Sequence, residues 1–99
     1  MTEKEKIYGD YADQRVAIST MVEALDRLKR QYQRLNNQEE TGLTKEERVD
    51  YTIISLKITR SVTAIGDEAI DSYLDLANYS RLACRATCGV DILDDLCKG

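Results

Sequence analysis

From Ile18 onward the apolar residues fall at Ile18, Met21, Leu25, Leu28, Tyr32 and Leu35, in alternating steps of three and four. That is the a/d spacing of a helix–helix seam. It predicts a long first helix, for which Asp10, just after Gly9, offers an N-cap oxygen. The other side of this helix carries Glu23, Asp26, Arg27, Lys29, Arg30 and Arg34, acids early and bases late as the helix dipole favours, and reads as solvated surface. Residues 36–43 are polar and turn-like, and Thr44-x-x-Glu47 has the form of a capping box. The chain therefore reverses there, and a second helix is predicted over about 45–64. Inside it Ile54, Leu56, Ile58, Arg60 and Val62 alternate with Ser55, Lys57, Thr59 and Ser61, a period-two pattern that also suits a strand. The capping box, the lack of a partner strand and the set Val49, Ile53 and Leu56 decide for a central helix packed on two sides.

Ile65-Gly66-Asp67 breaks the pattern and supplies a new N-cap. Ala69, Ile70, Tyr73, Leu76, Ala77, Ala83, Cys84 and Cys88 then form the apolar stripe of a third helix that Gly89 can end. Asp91 caps a last amphipathic piece with Val90, Ile92, Leu93 and Leu96. The predicted fold is all-α: an antiparallel helical bundle of three main helices plus a short C-terminal helix, one domain over residues 1–99 with a frayed 1–9 segment. The Ile18–Leu35 seam and the apolar tail offer more sticky surface than three such helices cover, so a homo-oligomer is expected.

Composition narrows the function. The 99 residues hold 18 acidic and 14 basic side chains, a net charge of −4, and this field repels a phosphate backbone, so duplex DNA is an unfavourable partner. No His is present, which removes the commonest general base and the commonest metal ligand. No stretch approaches the roughly 20 apolar residues of a membrane span and no leader is visible, so a cytoplasmic protein is expected, in the host cell if the source is viral. Cys84, Cys88 and Cys97 are odd in number and lack a CxxC pair, which points to reduced thiols serving as small core residues.

On the third helix Asp71, Asp75 and Tyr79 recur every four residues, and on the second Lys57 and Arg60 lie one turn apart. Together they form a candidate polar cluster between two helices. It is either a salt-bridge network fixing register or a ligand site. Tyr8-Gly9-Asp10, Lys57-x-x-Arg60 and the run Asp71-Ser72-Tyr73-Leu74-Asp75-Leu76-Ala77-Asn78-Tyr79 resemble a family of small phage-encoded helical domains of unknown function. Where that family often has Asn-Pro, this chain has Ala64-Ile65-Gly66. More distantly, the same helix is similar to MazG-like nucleotide pyrophosphohydrolases, in which paired acidic helices hold magnesium beside a triphosphate.

In this chain the positions facing that helix are Lys57 and Arg60, bases that contact phosphate oxygens without a metal. Bases in place of metal-holding carboxylates turn a catalytic site into a binding site, so a non-enzymatic protein with no cofactor is expected. It would capture a nucleotide-like ligand, such as a host defence signal, through Tyr8, Asp10, Lys57, Arg60, Asp71, Asp75 and Tyr79, with Tyr8 or Tyr11 stacking on a base. One alternative is a magnesium-dependent pyrophosphohydrolase using Glu47, Asp50, Glu68 and Asp71. The other is an acidic inhibitor that covers a host protein.

Overall fold

The computed structural model describes Asp10–Lys98, and within that span the regular structure is all helix. Four helices follow in order: α1 (Tyr11–Leu35), α2 (Lys45–Thr63), α3 (Asp67–Cys88) and the short α4 (Leu93–Lys98). The expected fraying of 1–9 and the expected role of Tyr8 lie outside the described residues.

The local signals act where the sequence placed them. Asp10 accepts from the Ala12 amide at 2.7 Å and starts α1. At the head of α2 the Glu47 amide donates to Thr44 Oγ1 at 3.1 Å while the Thr44 amide donates to Glu47 Oε1 at 3.0 Å, so two orphan donors are satisfied reciprocally. The stretch with period-two alternation is helical throughout, and among the described residues there is no strand for it to pair with. Asp67 is not the cap of α3: it is the first helical residue, and Gly66 occupies the cap position with φ +63° and no side-chain bond. Gly89 ends α3 in the left-handed region, and Asp91 then accepts from the Leu93 amide at 3.0 Å while Arg81 clamps its carboxylate with two bonds. That clamp, together with the Leu93 amide, holds the Asp91 carboxyl far below the ordinary range.

Of the α1 residues read as solvated surface, Glu23, Arg27 and Arg34 are exposed as expected, whereas Asp26 is buried and Lys29 and Arg30 are half-buried against the loop and α2. Asp26 is 5% exposed, and its carboxylate accepts from Arg30 Nε and from the Leu43 amide, each at 2.9 Å, with Arg48 of α2 at 3.3 Å. One turn on, Gln33 is buried, accepting from the Gly42 amide and donating to Thr41 Oγ1, both at 3.0 Å. Arg30 donates to the Glu40 carbonyl, Arg34 forks onto the Glu40 carboxylate, and Lys29 pairs with Glu47. The α1–α2 loop is thus bound along its length to charged side chains of α1.

The helices form an open layer. Arg48 reaches α1 through Glu23 and Asp26, whereas Lys57 reaches Asp75 on α3. These two residues are nine positions apart, about two and a half turns at 3.6 residues per turn, so α1 and α3 lie on opposite sides of α2. Each neighbour runs antiparallel to α2. The radius of gyration, 15.7 Å, exceeds the roughly 12.6 Å of a closed domain of this length. Among the described residues the buried hydrophobic side chains are Val22 and Ala64.

Two outcomes follow from the loop network. Gly42 has φ +69°, and a Cβ there would overlap Asp26 Oδ1 and sit 2.7 Å from Arg30 Nε. Gly42→Ala is expected to lose about 1–3 kcal/mol in urea unfolding, and an unchanged midpoint would contradict this account. The Asp26 carboxyl is held below its ordinary value, chiefly by the Leu43 amide and then by Arg30. A carboxyl lowered on folding contributes fully above its unfolded pKa and loses that contribution as pH falls through the lowered value. Asp26→Asn should therefore be less stable at neutral pH and show a shallower acid decline than the parent, measured as stability against pH.

Candidate functional site

Of the predicted polar cluster, the structure brings together Lys57, Asp75 and Tyr79. Lys57 Nζ donates to Asp75 Oδ2 at 3.1 Å and lies 5.5 Å from the centroid of the Tyr79 ring. The Lys57 side chain is 12% exposed and its stem packs between α2 and α3, while Asp75 is 54% exposed at the rim. The ammonium thus meets a carboxylate and an aromatic face at once, which neutralises it and ties α2 to α3 at that level. Arg60, one turn along α2, is half-buried, and Asp71, one turn before Asp75, is exposed. Asp10 caps α1, and Tyr11 opens that helix with its ring in solvent.

The alternative carboxylate set is not gathered. Glu47 and Asp50 lie in the first turns of α2, beside Thr87 and Cys88 at the far end of α3. Glu68 and Asp71 open α3 at the opposite end of the antiparallel pair. The two halves are about 20–25 Å apart along the helix axis at 1.5 Å per residue. Glu47 is already committed to Lys29 and the Thr44 amide, which hold its carboxyl below the ordinary range. Among the described residues no group of three or more acidic or thiol side chains is placed to hold a metal ion.

The cysteines are free, and they are not core residues as a set: Cys84 is half-buried, Cys88 and Cys97 exposed. Partial burial, with Cys88 one turn away, pushes the Cys84 thiol up. It is a poor nucleophile there.

Beyond the polar cluster, exposed apolar side chains of α1 and α3 gather on one side of the layer. On α1 the seam residues Met21, Leu25, Leu28 and Tyr32 turn away from the buried Asp26 and Gln33, and only part of the seam meets α2. Leu25, Leu28 and Tyr32 line one groove with Tyr51, Met21 lines the next with Ile58, and Tyr51 and Ile54 continue to Ala83 and Cys84 of α3. Helical spacing carries the same face along α3 to Ala77 and Tyr73. Leu28, Tyr32, Leu35 and Tyr73 are 61%, 59%, 77% and 60% exposed. The predicted third-helix stripe is therefore two stripes. Ala69, the buried Ser72, Leu76 and Ala83 face α2, while Tyr73 and Ala77 join the open face.

All three long helices thus contribute apolar side chains to one side of the layer. The polar side holds Glu23, Arg27 and Arg34 of α1 with Asp71 and Asp75 of α3. Sequence spacing exposed the seam itself. That Tyr51, Ile54 and Tyr73 extend it follows only from placing α1 and α3 on opposite sides of α2.

The class of protein so defined is an all-α protein with an open three-helix layer and one bare apolar face. Compared with protein-family models, with curated proteins and with solved structures, the chain matches none.

If the Lys57–Asp75 pair sets register rather than binding a ligand, Asp75→Asn loses no more than the ~0–1 kcal/mol of a rim ion pair. Urea unfolding measures it, and a loss several times larger would show that the cluster is energetically central.

Proposed function

We propose that the protein is a non-catalytic interaction protein, which works by seating the apolar face of its three-helix layer on another protein surface. The observation that carries this reading is the continuous open face from Leu28 and Tyr32 through Tyr51 and Ile54 to Tyr73. Monomeric proteins rarely leave contiguous apolar patches beyond a few hundred Å² uncovered, and larger ones mark interaction sites. The catalytic alternative requires Glu47, Asp50, Glu68 and Asp71 around one ion, an arrangement their separation does not support.

A second reading keeps Lys57 and Arg60 as anion contacts. It is favoured by Lys57, which lies 5.5 Å from the centroid of the Tyr79 ring, with Arg60 one turn along the same helix. It requires a nucleotide phosphate to displace Asp75 from Lys57.

The first reading is tested by oxidative footprinting in intact cells. Leu28, Tyr32 and Tyr73 should be protected severalfold relative to Val16, which is 65% exposed on the polar side of α1. Equal oxidation of both sides would overturn it. The second predicts a rise in Tm with a nucleotide pool, larger in Asp75→Asn because the competing carboxylate charge is gone.

A further inference from the structure

Resting on the interaction reading, we infer that the occupant of the apolar face is a second copy of this chain, two three-helix layers stacking face to face as a six-helix dimer. Domains are built from at least two packed layers around a core, and this chain supplies one. Val22 and Ala64 are the buried hydrophobic residues among those described, too few to be the core of a folded domain. The missing layer must therefore be present whenever the chain is folded. A second copy meets that condition by construction, because it is made at the same time and in equal amount.

The areas agree with this. The chain exposes 7376 Å², against about 5,700 Å² expected of a compact monomer of its 11.3 kDa mass. That excess belongs to a single layer with both sides in solvent, and covering one side at the ~800 Å² per partner of a standard stable interface would remove about half of it.

Charge favours a copy over a foreign partner. The centre of the face, from Met21 and Leu28 through Tyr51, Ile54 and Ile58 to Tyr73, has no ionisable group that is charged at neutral pH. The charged residues beside it are the self-neutralising Lys29–Glu47 pair, Asp50, and Asp10 and Asp13 at one end. An acidic chain can present such a face to its own copy with little repulsion. A basic foreign partner would instead be drawn to the acids on the polar side. Contact between two copies is isologous, since a closed two-fold pairing covers the same patch on both, and full overlap sets α2 of one copy against α2 of the other.

Size-exclusion chromatography with light scattering on the purified chain tests the inference. The expected particle has twice the 11.3 kDa chain mass, and Tm should fall on dilution because association and folding are coupled. Tyr73→Glu and Leu28→Glu should each weaken the dimer at least tenfold or prevent folding, whereas Val16→Glu on the opposite side should leave it intact. A monomer with concentration-independent Tm overturns the inference, as does a dimer broken by Val16→Glu and untouched by the other two. If the purified chain is monomeric yet Leu28, Tyr32 and Tyr73 are protected in cells, the second copy is excluded and a foreign partner takes the face. If it is monomeric and those residues oxidise freely in cells, the interaction reading falls with it.

Discussion

A buried carboxylate governs the arrangement of this protein. Asp26 sits mid-helix on α1 and is met by three donors from three parts of the chain: Arg30 one turn on, the Leu43 amide at the end of the loop, and Arg48 in the first turn of α2. An ionised group out of water is tolerated only when its lone pairs are occupied, so each donor must be in place for the others to be worth making. That mutual requirement fixes where the loop lies, and hence where α2 begins. Gly42 is part of the same constraint, since its left-handed backbone and missing side chain let the loop approach the carboxylate. Glu47 serves the cap of α2 and the Lys29 pair with one side chain, so starting the helix and docking it on α1 are a single event.

With α2 anchored on one side by polar bonds, its other side is free to take α3. Lys57 pairs with Asp75 half a turn around from Arg48, and the small residues Ala69, Ser72 and Ala83 let the two helices approach closely. Both inter-helix registers thus rest partly on ion pairs, in a molecule whose apolar side chains are mostly turned elsewhere. The usual division of labour, apolar core within and charges without, is partly inverted along α1: Asp26, Lys29 and Arg30 meet the loop and α2, while Leu28, Tyr32 and Leu35 of the seam meet the surroundings.

This inversion explains what the sequence did and did not disclose. The helices, the Thr44–Glu47 capping box, the Asp10 cap and the Gly89 stop were legible because each depends on residues within a turn of one another. The seam was legible as a seam, since periodicity reports that a face is apolar. Periodicity does not report which neighbour covers that face, and here no helix among the described residues covers it fully. Asp26 was misplaced for the complementary reason. A carboxylate among Glu23, Arg27 and Arg30 reads as surface, and only the loop geometry, with backbone donors brought in from Leu43, makes burial tolerable. Of the candidate cluster, Lys57 with Asp75 and Tyr79 was recoverable from i, i+4 spacing plus antiparallel packing. The set Glu47, Asp50, Glu68 and Asp71 could not be gathered, because that same packing sends its halves to opposite ends of one helix pair.

A layer held by polar bonds and bare on one side has a particular energetic character. Ion pairs and hydrogen bonds add little net free energy relative to water, but they penalise wrong arrangements strongly, so they define geometry more than they drive folding. Apolar burial drives folding without direction, at about 25 cal/mol per Å². In this chain the two functions are separated in space: the Asp26 and Lys57 networks shape the layer, and the uncovered face from Leu28 to Tyr73 holds the driving force in reserve. Covering that face would add apolar burial to a layer whose shape the polar bonds already set. On the interaction reading, folding and docking are coupled in the one surface, and the geometry that Asp26 imposes on α1 and α2 decides which surface can complete it.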